Sequence, residues 1–226
     1  MYAQRGGEVQ GNGKVTEVDR NDLTGFSGAT ACCSMLLTIT KGDNYAVKVI
    51  TDENLQEFIT TEIVNGVLRV GKNDRYGLYP TERTKIYVTM PAIDYLKSSS
   101  SSDILCQGSF RGDELKLDVS SSGSIELDYQ GSRVEVDGSS SGEVKLKGRA
   151  EKLSFDGSSS SRLDARKFTV ADLRVDGSSM ARVRVGEVNN GLEVDLSSGS
   201  KVEYGGKAKI VSSDLSSGGK VKKINW

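Results

Sequence analysis

The chain contains no histidine, and only two prolines and one tryptophan, among its 226 residues. Without histidine it lacks the usual base of Ser-His and Cys-His catalysis and the commonest zinc ligand. It also has no apolar run of about 18 residues, so we expect no membrane span. Because the formal net charge is −1, the overall charge favours neither nucleic acid nor an anionic membrane as a partner.

Cysteine is scarce as well: the chain has Cys32, Cys33 and Cys106. Neighbouring residues of a strand point to opposite faces, so Cys32 and Cys33 are poorly placed to bridge each other. Two interpretations remain. The three residues are small buried hydrophobes, or Cys106 forms a disulfide with one of the pair.

What the chain does have is a block of about nineteen residues that recurs through its second half. The copies begin at Leu115, Val134, Leu153, Leu173 and Leu192, with a degenerate copy at Ile210. A fixed period in this range is typical of stacked structural units. We therefore predict an all-β fold: a parallel β-helix, or β-solenoid, of about seven coils over residues 92–226. The general crossover preference predicts that it is right-handed.

Alternation within each block predicts which side chains face the core. Aliphatic residues recur at two positions before the serine-rich corner and at two positions after it, and stacking buries them in four columns. The columns start at Leu115, Leu117, Ile104 and Leu127 and include Ile210 and Val221 in the last coil. The outward column Glu126, Lys145, Asp164, Arg184, Glu203, Lys222 alternates in sign, which favours the correct register.

A second recurring position is acidic in every copy. Its members are Asp118, Asp137, Asp156, Asp176, Asp195 and Asp214. Since like charges repel, something must offset their stacking. We expect each aspartate to accept backbone N–H groups from the serines that follow it. Calcium between the coils is the alternative, because hard cations prefer stacked oxygens.

The first ninety residues lack the repeat. Residues 1–13 read as a flexible arm, and residues 14–91 as a β-rich cap over the N-terminal end of the solenoid. The segment DENLQEFI predicts one short helix with Asp52 as its N-cap. The loop of residues 73–83 carries Tyr76 and Tyr79, which either stack on a partner or pack over the end of the solenoid.

Several short segments occur in a fixed order before the repeats. They are GFSG at residues 25–28, KGD at 41–43, DENL at 52–55, NGVL at 65–68 and VTMP at 88–91. In this series, with its repeats, the chain resembles the bacterial family called putative autotransporter adhesin, head GIN domain. The resemblance covers about residues 15–226. It implies an exported β-helical protein with no established enzymatic activity. The chain departs from the family by having SSSG or SSSS where Ser-Gly-Ser-Gly is usual.

Our functional hypothesis is a non-enzymatic extracytoplasmic protein, an adhesin or envelope scaffold that binds a glycan or protein partner. The start, MYAQRGGEVQGNGK, lacks the apolar stretch of a secretory signal, so the signal is expected to have been removed. We predict no catalytic residue, cofactor or metal, and a monomer or weak dimer through the C-terminal coil, with Trp226 as a lid. The alternative is a polysaccharide lyase or hydrolase, supported by fold analogy.

Overall fold

A computed structural model describes residues 7–225 of the chain. These residues form eighteen strands and one 3-10 helix, Glu53–Phe58. In chain order the strands are β1 (Glu8–Gln10), β2 (Val15–Asp19), β3 (Gly28–Ala31), β4 (Leu36–Lys41), β5 (Ala46–Asp52), β6 (Ile59–Val64), β7 (Val67–Lys72), β8 (Gly77–Tyr79), β9 (Lys85–Met90), β10 (Tyr95–Ser98), β11 (Asp103–Val119), β12 (Ser124–Gly138), β13 (Glu143–Gly157), β14 (Arg162–Gly177), β15 (Arg182–Leu196), β16 (Lys201–Gly206), β17 (Lys209–Leu215) and β18 (Lys220–Lys223). No helix within residues 7–225 has the length and apolar character needed to cross a membrane.

The repeats stack as the period predicts. Strands β10 to β18 pair only in parallel among themselves, each long strand lying against the next, and Leu115, Val134 and Leu153 face one another in register. The aspartates at the ends of these strands are also in register. The prediction of an all-β solenoid of about seven coils is confirmed.

The same stack begins before residue 92. Strand β3 pairs in parallel with β10, and β4 with β11. Residues 28–41 therefore form one coil of the solenoid, and we call each stacked coil a rung. Strands β7 and β9 add a further parallel layer on β3 and β4. Since Ala31 stands opposite Ser98, 66 intervening residues separate two adjacent rungs. This insertion hides the first rung from a search for a nineteen-residue period.

The serine corners share one backbone geometry. Each has two successive residues with positive φ, for example Ser140 (47°) and Ser141 (63°), and Cys33 (69°) and Ser34 (60°) adopt it as well. Positive φ disfavours most side chains, but a ladder of backbone hydrogen bonds joins the corners. It runs Ser34 N to Ser100 O, Ser101 N to Ser121 O, Ser122 N to Ser140 O, Ser141 N to Ser159 O, Ser160 N to Ser179 O, Met180 N to Ser198 O and Gly199 N to Ser217 O, at 2.9–3.1 Å. The ladder therefore holds this geometry at residues other than glycine.

The four aliphatic columns form the core, with one correction at the end of the stack. Leu115, Leu117 and Phe155 are almost completely buried, as are their counterparts through residue 204. The prediction that Ile210 is buried is wrong: it is 52% exposed, and its neighbour Val211 is 67% exposed. Strand β17 is exposed along its whole length, because no rung stacks on it among the described residues. The predicted lid, Trp226, lies outside them.

Antiparallel strands cover the N-terminal end. Strand β5 pairs antiparallel with β9 and β2, and β6 with β7. The predicted short helix is present as a 3-10 helix, but Asp52 does not cap it through its side chain. Residues Glu8–Gln10, which the sequence assigns to a flexible arm, form a strand paired in parallel with β8.

Candidate functional site

The loop of residues 73–83 places its two tyrosines differently. The ring of Tyr76 packs edge-on against Phe58, with 4.9 Å between ring centroids. Tyr79 is 47% exposed, and its hydroxyl donates to Glu8 Oε1 at 3.2 Å. Tyr76 is therefore a packing residue, whereas Tyr79 presents much of its ring to solvent.

Asp52 anchors this loop through side-chain hydrogen bonds. Its side chain is fully buried and accepts hydrogen bonds from Gly13 N (2.8 Å), Thr81 N (2.9 Å) and Thr81 Oγ1 (2.8 Å). Burial alone favours the neutral carboxyl, but these donors outweigh it and lower the pKa of Asp52. The predicted N-cap is instead an anchor that joins the N-terminal segment to the loop, because its carboxylate makes hydrogen bonds to Gly13 and Thr81 and none to the helix.

A cleft of about 550 Å³ lies between this loop and the first rungs. Its wall is mainly apolar and includes Met35, Leu55, Ile59, Leu78 and Pro80. No carboxylate is found among the described residues that line it. An apolar wall of this kind with a few polar groups suits binding, and it offers no carboxylate pair for acid–base hydrolysis.

Two cations at the cleft are held by the protein itself. Lys72 Nζ donates to Tyr76 O at 2.7 Å. Arg83 donates to the carbonyl oxygens of Ser34 (2.8 Å) and Met35 (2.9 Å) and to Asp103 Oδ2 at 2.6 Å. Arg83 thus fastens the loop to the first two corners of the solenoid. The rim of the cleft is preorganised by these bonds.

The cleft wall also contains Cys33, whose thiol differs from the other two. All three cysteines are free, Cys106 being buried. A hydrogen bond from Cys32 and the nearby Lys72 lower the pKa of Cys33 to about 7, whereas the same bond raises that of Cys32. Burial raises the pKa of Cys106 to about 12. Cys33 therefore has the most thiolate character near neutral pH.

Some of the outward charged residues form the expected ion pairs with residues of the adjacent rung. Arg184 Nε lies 2.9 Å from Glu203, and Lys116 Nζ lies 2.9 Å from Asp137, in each case across adjacent rungs. Arg174 and Glu193 are 3.7 Å apart. Exposed pairs of this kind contribute about 0.2–1 kcal/mol each. Together these pairs specify the register of the strands, because a strand that slipped along its neighbour would lose all of them at once.

The expectation that the aspartate column accepts N–H groups from the serine corners is wrong. Those N–H groups donate to carbonyl oxygens of neighbouring rungs, as the Ser120 N to Ser98 O bond at 3.1 Å illustrates. Asp118 instead accepts from the Tyr95 hydroxyl at 2.7 Å. Burial and the charges of Asp176 and Asp137 raise the pKa of Asp156. Within residues 7–225, no cluster of three or more carboxylate or thiol side chains is arranged to hold a metal ion.

Comparison with known proteins gives a consistent result. The profile of the family described as putative auto-transporter adhesin, head GIN domain, matches residues 25–208. The structure is similar to a putative adhesin of Bacteroides fragilis, with a TM-score of 0.87, 15% identity, and coverage of 96% of this chain and 100% of that one. It is also similar to a putative lipid binding protein of Parabacteroides distasonis (TM-score 0.75, 18% identity, coverage 96% and 99%) and a putative adhesin of Parabacteroides merdae (TM-score 0.70, 15% identity, coverage 96% and 99%). At these identities the likeness shows the fold. No curated protein matches the chain.

Proposed function

The chain belongs to the putative auto-transporter adhesin, head GIN domain family, and we propose that it is a non-enzymatic extracytoplasmic protein that binds a glycan or protein partner. The observation that carries this proposal is the cleft between the loop and the first rungs, with the exposed ring of Tyr79 beside it. Aromatic rings of this kind supply contact area at low conformational cost.

The cleft suits binding because its rim is rigid and its wall is apolar. Asp52 and Arg83 fix the loop from two sides, so little conformational entropy is lost when a partner docks. Leu78 and Pro80 line the cleft on either side of Tyr79 in the chain. A partner that covers Tyr79 would therefore also bury apolar surface, which is the main source of favourable free energy in such contacts.

The test compares two exposed tyrosines. Tyr79→Ser removes the ring beside the cleft, whereas Tyr87→Ser removes a ring of similar exposure (43%) on strand β9, outside the cleft lining. Both proteins are screened against defined glycans, mucin, collagen and fibronectin. We expect Tyr79→Ser to weaken the strongest interaction about tenfold or more, with Tyr87→Ser close to the unaltered protein. Equal losses in both variants, or binding unaffected by Tyr79→Ser, would refute the role of the cleft.

Two other outcomes would replace the proposal with a different one. Binding of long-chain fatty acids or phospholipids instead of glycans or proteins would assign the apolar cleft to a lipid, the ligand class named for one structural relative. Cleavage of an acidic polysaccharide, measured by new reducing ends or by absorbance of unsaturated products, would establish the enzymatic alternative. Location is tested separately, by the accessibility of the protein to protease added to intact cells.

A further inference from the structure

Besides the aspartate column, a second outward column of the solenoid does not alternate in sign. It consists of the residue directly before the first inward aliphatic that follows each serine-rich corner. In the first three rungs of β11 to β13 it contains Asp103, Ser124 and Glu143. In the next four it contains Arg162, Arg182, Lys201 and Lys220, each in register with the next. We call these last four residues the basic column.

The basic column is exposed and unpaired. All four residues are exposed, and their side chains make no ion pair or hydrogen bond within residues 7–225. The nearest acidic residues along their strands are already engaged. Asp164 accepts two bonds from Arg166, from Nε at 2.8 Å and Nη2 at 2.5 Å, and Glu203 accepts from Arg184 at 2.9 Å.

This arrangement is unfavourable for the fold on its own. Neighbouring strands lie about 4.8 Å apart, so the column stacks four positive charges over about 14 Å. Like charges directly opposite each other on paired strands destabilise the pairing. The column beside it, from Glu126 to Lys222, alternates and so avoids this repulsion. The basic column breaks a local rule that the alternating column follows, and such a departure is expected mainly at functional positions.

The surroundings of the basic column provide a place for an extended ligand. A shallow groove of about 390 Å³ runs between it and the alternating column, where four arginines, Arg162, Arg166, Arg182 and Arg184, outnumber the two carboxylates Glu143 and Asp164. On the other side lie the exposed corner serines Ser159, Ser179 and Ser198. Their hydroxyls make no hydrogen bond within the described part of the chain. The face therefore offers a line of cations beside a line of free hydroxyl groups.

We propose that the basic column binds a linear anionic polysaccharide whose carboxylate or sulfate groups run along the solenoid axis. Cations held at a fixed repeat suit a polymer with regularly spaced charges, and the serine hydroxyls suit sugar hydroxyl groups. Glu143 ends the column at one side, so the bound segment spans about four rungs.

A polysaccharide fits this face better than a nucleic acid. Binding of single strands relies on aromatic side chains that stack on the bases. The outward positions around the basic column hold arginine, lysine, aspartate and glutamate, with no exposed aromatic ring among residues 162–167, 182–187, 201–204 and 220–223. The column is also one residue wide, which is narrow for the two phosphate backbones of a duplex.

The test uses oligogalacturonate of defined length, with the same oligomer fully methyl-esterified as an uncharged control. Arg182→Glu/Lys201→Glu reverses the centre of the basic column. Arg149→Glu/Lys152→Glu makes the same change in net charge at two exposed residues outside it. By calorimetry we expect the first variant to lose at least about tenfold in affinity and the second to change little. The slope of log affinity against log salt should fall by at least half, because two of four cations are lost and two anions take their places.

A second readout does not depend on binding. Reversing the two central charges turns the like-charge contacts 162/182 and 201/220 into opposite-charge contacts and leaves one like-charge contact, 182/201. Arg182→Glu/Lys201→Glu should therefore unfold at a higher temperature than the unaltered chain, which also shows that it folds. Equal losses of affinity in both charge variants, tighter binding of a single-stranded oligonucleotide, or no binding of the charged oligomer would overturn the proposal. Tyr79→Ser should leave this interaction intact, which separates it from the function of the cleft.

Discussion

The aspartate column, Asp118 to Asp214, leads to an unusual prediction: removing one of its exposed charges should stabilise the protein. Asp156 stands in register between Asp137 and Asp176, and burial together with these two charges raises its pKa. We predict that Asp156→Asn stabilises the protein at neutral pH. The substitution keeps the size of the side chain and removes the charge that its neighbours oppose.

The magnitude follows from the rung spacing. Two unit charges about 4.8 Å apart repel by about 0.9 kcal/mol in water, and physiological salt roughly halves this. Two neighbours give a total of about 1 kcal/mol. Lys116, 2.9 Å from Asp137, offsets part of that repulsion, which leaves about 0.5–1 kcal/mol. For a chain of this length the unfolding temperature should rise by about 1–4 °C.

The pH dependence provides the decisive check. A raised pKa in the folded state means that the penalty is absent below the unfolded pKa, near 3.9. It appears as the pH rises through the folded pKa and is complete above it. In urea unfolding, the advantage of Asp156→Asn should therefore be full at pH 7 and shrink towards pH 4.

Asp164→Asn serves as the matched control, because a hydrogen bond from Arg166 lowers the pKa of Asp164. That variant should lose stability at neutral pH, and its loss should diminish on acidification. If Asp156→Asn destabilises the protein at pH 7, or if its benefit does not vary with pH, the repulsion argument is wrong. A loss of stability that appears only with added calcium would point to an ion between the rungs.

Three further predictions concern packing, the loop and the open end. Phe155→Ala should cost about 3–5 kcal/mol in urea unfolding because it empties a fully buried position, while Phe155→Leu should cost less than about 1.5 kcal/mol. Asp52→Asn should cost about 1–3 kcal/mol, because its amide N–H₂ would face donors from Gly13 and Thr81, and limited proteolysis should then cut the loop of residues 73–83 first. Light scattering should show a monomer or weak dimer, and Val211→Lys should abolish any dimer formed through the exposed last rung.

Most of the solenoid was predictable because residues about nineteen positions apart in the sequence stack on one another in adjacent rungs. Aligning the copies puts Leu115 over Val134, and the observed register is the same. The prediction failed where the stack stops. Ile210 has the aliphatic character of its column, but burial requires a rung on both sides, and alignment of the copies does not encode which rung is last.

The first rung was missed for a different physical reason. Its corner, Cys32-Cys33-Ser34, has the backbone of a serine corner but not its composition. The backbone hydrogen-bond ladder, which any residue can join, holds it in place. The signal in the sequence was the short run Leu36–Lys41 after a cluster of small residues, and the long insertion that follows removed the period that would have identified it.

The two candidate sites differ in how well the sequence alone could predict them. Whether Tyr76 is as exposed as Tyr79 depends on its contact with Phe58, the last residue of the 3-10 helix, and that contact is not visible in the sequence. The basic column, by contrast, was present in the aligned repeats, one residue before Leu163, Val183, Val202 and Val221. Its significance required knowing that neighbouring carboxylates such as Asp164 are already paired. In a solenoid, columns that alternate in sign are explained by register, so a column of one sign without partners is where a ligand should be sought.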